Sequence, residues 1–514
     1  MEKTLKKKIA HNNHKNPYAH NGTVGVLPTH LTTKKTNGYT TQNHQVQKDK
    51  KKIGHINKVY IESYGCQMNF SDSEVVASIL SNNNYEITSK PEDASLILLN
   101  TCSIRDKAEQ RIRKRLNDFN HLKKTNSKIK VGVLGCMAER VKHKFLEEEK
   151  IVDIVVGPDS YKDLPNLIEK AKNNIEAVNV ILSKNETYSD ISPIRINSNN
   201  VSAFVSITRG CDNMCSFCVV PFTRGRERSR DPNSIINEIS SLQKKGFKEL
   251  TLLGQNVDSY LWYGGGLKKD FSKASDIQKK TSITFDKLLK LIAETFPKMR
   301  IRFSTSNPQD MTLEVIKVMM KFENICKHIH LPFQSGSNRI LKKMNRLYSR
   351  EEYIDLIKKI KEFIPNCGIS HDIITGFPTE NEEDHKETLS LMEYVKYDFG
   401  YMFSYSERPG TLASKKYKDD ISLTTKKRRL TEIINLQQKH SHTKMKSFIG
   451  KTMCVLVEKD SKKSNLNWSG RNSQNTVVVF NKENYKIGDF VDVKIKDCTS
   501  GTLLGNAISY SKSI

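Results

Sequence analysis

Apolar and polar positions along the chain fall into three successive regimes. In the first, Val59-Tyr60-Ile61-Glu62-Ser63-Tyr64 alternates and ends at Gly65-Cys66, the pattern of a strand running into a loop. Asn69 to Asp72 offers helix caps, and Val75, Val76, Ile79 and Leu80 then recur at helical spacing. Leu96-Ile97-Leu98-Leu99 reads as a buried strand ending at Asn100-Thr101-Cys102, and a charged helix is predicted from about Asp106 to Lys124. A third run, Lys130–Leu134, ends at Gly135-Cys136, and a fourth covers Ile151–Val156. Strand alternating with helix is the pattern of an α/β, doubly wound parallel sheet, here assigned to residues 57–175.

Polar residues with Pro193 mark 176–199 as a linker. Alternation then restarts. Strands are predicted at Phe204–Ile207, Glu249–Leu253, Arg300–Phe303, His328–Leu331, Gly368–Ile373 and Phe399–Phe403, with charged helical patterns between them. Six such repeats in about 230 residues predict a full or partial β/α (TIM-like) barrel over 200–435. The Gly-, Lys- and Ser-containing stretch 261–282 interrupts one repeat and reads as an exposed insertion. In the third regime, Val455–Glu458, Thr476–Phe480 and Phe490–Ile495 are β-branched runs, predicting a small all-β barrel over 446–510.

Charge adds a partner to this outline. The 514 residues carry a net charge of +27, which argues for a polyanion, nucleic acid before membrane. Residues 1–56 supply nine of those charges and few aliphatics, so they read as a disordered basic tail. The apolar runs are all shorter than the roughly 18 residues of a spanning helix, and the N-terminus lacks an apolar signal core. The expected location is the cytoplasm, where the ten cysteines serve as thiols, metal ligands or catalytic groups rather than disulfides.

Those cysteines divide into three groups. Cys211-x3-Cys215-x2-Cys218 follows a strand directly; three thiolates on one loop can hold three irons of a cubane and leave the fourth open to a ligand. Structural zinc needs four closed ligands, and only three are local. Cys66, Cys102 and Cys136 are far apart in sequence, yet each follows a parallel strand, and open α/β sheets bind ligands beyond the strand ends. Periodicity alone therefore leaves two readings for them, a second three-cysteine cluster or structural or redox thiols. Cys326, Cys367, Cys454 and Cys498 lie in or beside apolar runs and read as core.

The carrying segments are Ser63–Asn69, Asn100–Arg105, Cys218–Arg230 and Leu253–Val257. On these the chain resembles the radical S-adenosylmethionine (SAM) methylthiotransferases, from about residue 58 to 510. Gln67-Met68-Asn69 after the first cysteine is similar to the branch that acts on isopentenylated adenosine in tRNA; relatives that modify a ribosomal protein have Pro-Lys-Asn there. The resemblance implies a methylthiotransferase domain, a radical SAM core and a terminal RNA-binding TRAM barrel. It also implies two [4Fe–4S] clusters. Cys211, Cys215 and Cys218 would hold the one that binds SAM, and Cys66, Cys102 and Cys136 an auxiliary one. The implied reaction is methylthiolation at C2 of N6-isopentenyladenosine beside the anticodon, with one SAM as methyl donor and another as radical source. Implied partners are tRNA, an electron donor and a sulfur source, and the resemblance favours a monomer. A protein-modifying methylthiotransferase and a non-catalytic RNA-binding metal protein are the alternatives. Strand-end residues Gly254, Gln255, Asn256, Ser304, Gln334, Asp372 and Gly376 are the expected SAM pocket. The four arginines at 224, 226, 228 and 230 are expected to meet RNA phosphate or the SAM carboxylate.

Overall fold

Parallel pairing of six strands builds the first domain. They are β1 (Asn57–Ser63), β2 (Tyr85–Thr88), β3 (Leu96–Thr101), β4 (Lys130–Gly135), β5 (Ile154–Val156) and β6 (Ala177–Asn179), in the order β2-β1-β3-β4-β5-β6. The computed structural model describes residues 57–102, 106–196 and 199–512; the basic tail lies outside them. β3 is buried at all six positions, as its unbroken apolar run requires of a central strand covered on both faces. One face packs on α1 (Gln67–Ser81) through Val75, Val76, Ile79 and Leu80, the other on α2 (Asp106–Thr125) through Ile112, Leu116 and Phe119. The chain reverses its direction of travel across the sheet between β1 and β3, and such a switch point is where open α/β sheets bind ligands. β2 escaped the periodicity because it has four residues, of which only Tyr85 and Ile87 face the core, too few to register as alternation. β6 continues the sheet into the stretch read as linker, pairing with β5 through Ile154 and Ala177.

The second domain is a partial barrel of strands Ser202–Ser206, Glu249–Leu253, Arg300–Ser304, His328–His330, Gly368–Thr375 and Phe399–Ser404. The first three pair in parallel, as do the last three, and an isolated bridge between Ile301 and Ile325 joins the sets. Among the described residues the first and last strands are unpaired with each other, so the barrel stays open. Ile301 and Phe303 face the helices in the main apolar core. Arg300 and Arg302, alternating with them, therefore face the lumen.

The third domain is a closed five-stranded barrel, Thr452–Asp460, Asn467–Arg471, Val477–Asn481, Phe490–Cys498 and Leu503–Tyr510. Its turn after Arg471 plugs the end of the larger barrel where the strands begin. Arg300 donates to the Arg471 carbonyl at 2.9 Å, and Arg302 to the carbonyls of Asn472 and Ser473 at 2.6 and 3.2 Å. The Lys327 N–H donates to Ser473 Oγ at 2.9 Å. Among the described residues no helix is long and apolar enough to cross a membrane.

Candidate active site

Register explains how three distant cysteines meet. Ser63 pairs with Asn100 and Thr101 with Gly135, so β1, β3 and β4 release their chains at one level of the sheet. Cys66, Cys102 and Cys136 follow within three residues of those ends. Gly65, at φ +109°, crosses so close to the next loop that a Cβ there would lie 2.2 Å from Cys102 Cβ. Beneath the thiols, buried Asn100 donates to the Asn69 carbonyl at 2.7 Å and to Ser73 Oγ at 2.9 Å, tying β3 to α1. Cys66 caps α1. Its thiol is pulled below the ordinary range chiefly by a hydrogen bond with Cys102, helped by Arg224 and by the N–H groups of Asn69 and Met68, against partial desolvation by the protein around this exposed residue.

Cys211, Cys215 and Cys218 occupy the loop after the first barrel strand, half-buried. Burial pushes the Cys211 thiol up, with smaller contributions from Cys218, Glu227 and Cys215. Burial, then Cys215, and more weakly Cys136, push Cys218 up to about 12. Arg224, which directly follows the short helix Val220–Thr223 after Cys218, donates through Nε to Cys136 Sγ at 3.2 Å, so both trios border one region between the sheet and the barrel. The loop is stapled to the segment 343–346 behind it: Ser216 N–H to the Met344 carbonyl at 2.9 Å, Asn345 to the Met214 carbonyl at 2.9 Å, and Arg346 Nη1 to Cys215 Sγ at 3.2 Å.

The expected SAM-pocket residues lie at or just past the ends of four barrel strands, except Asp372, which falls in the middle of Gly368–Thr375 because that strand runs on to Thr375. Gln255 Oε1, Asn256 Oδ1 and Gln334 Oε1 are buried without a hydrogen-bond partner, as is Thr208 Oγ1 beside Gly254. Asn256 Nδ2 donates to Asp310 at 2.6 Å, and Ser304 ends its strand half-buried. Asp372 lies 3.4 Å from His330, which shares Ser370 Oγ with His328 at 2.9 and 3.0 Å. Sequence reasoning passed over this lumenal chain because a histidine in a strand run reads as core. Gly376 stands apart from the other candidates: its N–H donates to Glu380 at 2.9 Å, and its Cα side abuts Lys426.

The arginine-rich segment departs from expectation. Arg224, Arg228 and Arg230 are buried and face protein carboxylates, not solvent: Arg224 meets Asp72 at 2.8 Å, Arg228 pairs with Asp159 and Arg230 with Glu238. Arg226 is the most exposed of the four and pairs with Asp212 at 2.8 Å. The Arg224 and Arg228 contacts seat the sheet domain on the barrel, whereas those of Arg226 and Arg230 stay within the barrel domain. Lys426 and Arg429 are likewise buried, on Asp419 and Glu380. Cys326 and Cys367 are core, whereas Cys454 and Cys498 are only half-buried in the terminal barrel.

Comparison with known proteins agrees with this division. Residues 58–157 match the uncharacterized protein family UPF0004, 205–392 the Radical SAM superfamily and 446–508 the TRAM domain. A tRNA-2-methylthio-N(6)-dimethylallyladenosine synthase from Christiangramia forsetii is 70% identical over 90% of this chain and 96% of its own. Synthases of the same name from Flavobacterium johnsoniae and Bacteroides fragilis are 69% and 51% identical over 88% of this chain, and over 94% and 96% of their own. Among solved structures, a radical S-adenosylmethionine methyltransferase, TsrM, from Kitasatospora setae shares the fold alone. Its TM-score is 0.50 at 12% identity, covering 70% of this chain and 75% of that one. Identity at that level along nearly the whole chain, with all three domains matched, places the chain in the tRNA-2-methylthio-N(6)-dimethylallyladenosine synthase family of radical SAM enzymes.

Proposed function

We propose that this enzyme methylthiolates C2 of N6-isopentenyladenosine beside the anticodon of tRNA, and that it does so with two [4Fe–4S] clusters. The observation that carries this is the approach of the two cysteine trios to one region, where Arg224 from the segment after Cys218 reaches Cys136 Sγ at 3.2 Å. A cubane puts each thiolate on its own iron, so a trio of thiols on one rim suits a cluster.

When bound, the clusters and SAM supply the electron, the carbon radical and the methyl group. The C2–H carries no acidic proton, so a general base alone cannot begin the reaction. The protein's task is placement and exclusion of water. Cys211, Cys215 and Cys218 would hold one cluster and leave one iron for SAM. Cys66, Cys102 and Cys136 would hold the other, which would supply the sulfur chemistry. Thr208, Gln255, Asn256 and Gln334 carry buried, unpartnered oxygens. Acceptors of that kind suit the amino and hydroxyl donors of SAM. Ser304 and Asp372 would border the same pocket, and Gly254 lets the backbone approach it. Gly376 shapes its loop. The chain would act as a monomer in the cytoplasm, where its tRNA substrate is found, with an external electron donor and sulfur source.

Anaerobic reconstitution, iron counting and mass spectrometry of isopentenylated tRNA test the reading. About eight irons per chain and a 2-methylthio product are expected. About four irons, or product on a ribosomal protein instead of tRNA, would overturn it. Gly65→Ala adds a sharper check: the new Cβ collides with Cys102, so iron should fall by about half while the SAM-binding cluster remains. Full iron in that variant would remove Cys102 from the ligand set.

A further inference from the structure

Two arginines that the reaction above does not use make the same contact. Arg224 belongs to the barrel domain, yet its Nε donates to Cys136 Sγ of the sheet domain at 3.2 Å. Its Nη2 donates to Asn69 Oδ1 at 3.0 Å and to Asp72 at 2.8 Å, and its buried Nη1 has no partner. Arg346 Nη1 donates to Cys215 Sγ at 3.2 Å. Its Nη2 is held by Asn307 Oδ1 at 3.2 Å and the Pro332 carbonyl at 3.1 Å, and its Nε by Tyr348 at 3.1 Å. Each trio therefore receives one charge-assisted N–H on one sulfur, from a guanidinium fixed in place by other partners.

Reducing an iron–sulfur cluster adds negative charge to it and its thiolates. A cationic donor on a ligating sulfur stabilises that reduced state and raises the potential. We propose that Arg224 and Arg346 are positioning residues, each raising the reduction potential of one cluster and leaving the other unaffected. For Arg224 this rests on the reading of Cys66, Cys102 and Cys136 as ligands; for Arg346 it needs only the radical SAM cluster.

The test uses full-length reconstituted protein and potentiometric titration followed by electron paramagnetic resonance. Replacing Cys211, Cys215 and Cys218 together by alanine leaves one cluster site, and replacing Cys66, Cys102 and Cys136 leaves the other. Arg224→Gln and Arg346→Gln are placed in each background. Each variant should lower the midpoint of its own site by about tenfold in the reduction equilibrium, ~59 mV for one electron, and leave the other within error. Unmoved midpoints, or equal shifts at both sites from either variant, would overturn the proposal. If the protein keeping only Cys66, Cys102 and Cys136 binds no iron, the two-cluster reading fails, while Arg346 is still judged at its own site. If Arg224→Gln sheds iron, Asp72→Asn is measured instead. It keeps the arginine and removes its counter-charge, so the midpoint must rise; an unchanged value refutes the role of Arg224.

Discussion

Cys66→Ala protein is expected to cleave SAM under reducing conditions and yet to form no 2-methylthio-adenosine. The substitution touches the trio at the sheet rim, while Cys211, Cys215 and Cys218 sit on a separate loop stapled to its own support at Ser216, Asn345 and Arg346. Cys66 is the exposed member of its trio, so alanine leaves no buried cavity and the sheet should fold as before. Asn69 and Asn100 still tie α1 to β3 beneath it. Iron should fall from about eight to about four per chain. Quantifying 5′-deoxyadenosine beside the modified nucleoside checks both halves. Methylthio product at the normal level would show that Cys66 takes no part in sulfur transfer.

The largest stability loss is expected at Glu249→Ala, far from either trio. Glu249 accepts from Arg300 Nε at 2.6 Å and Arg302 Nε at 2.8 Å, with all three side chains buried. Removing the one carboxylate leaves two guanidinium charges in the lumen without a counter-ion. Breaking a buried pair in this way costs about 3–5 kcal/mol. At roughly 2–4 °C per kcal/mol the melting temperature should drop visibly. Burial works to raise the Glu249 carboxyl, but Arg300 and Arg302 outweigh it and hold it down at about 2. A depressed carboxyl contributes stability that is present above the unfolded value, ~4.3, and lost as pH falls through the folded value. Acid melts between about pH 4.3 and 2 should therefore show a Glu249-dependent decline that Glu249→Gln lacks. Wild-type and Glu249→Gln proteins with the same slope there would contradict the assignment.

Strands with an apolar face were legible from the chain alone. Leu96–Leu99 and Glu249–Leu253 declare burial in single sequence windows, and reasoning from strand ends brought Cys66, Cys102 and Cys136 to one rim. The misreadings have a common physical cause. Arg224 and Arg228 are buried because Asp72 and Asp159 receive them from another domain; no local window contains either partner. Asn467–Arg471 lacked strand character because Gly470 must pass under the Leu456 carbonyl, where a Cβ would come within 1.9 Å. The requirement is set by a neighbouring strand, and glycine in isolation reads as a turn. Leu503–Tyr510 mixes small and polar residues because only Leu503 of the strand is fully buried.

The turn after Arg471 has a consequence for how RNA is presented to the chemistry. The TRAM barrel is fastened where the strands of the larger barrel start, whereas the cysteine loop leaves from where they finish. A five-residue strand spans ~17 Å, and the fastening groups Arg300 and Arg302 belong to such a strand. The module thus behaves as one leg of a caliper rather than a hand on a swinging arm. An RNA held by it would be gauged against the reactive rim over a set span, so nucleotide choice would follow from the distance between grip and rim as well as from base identity.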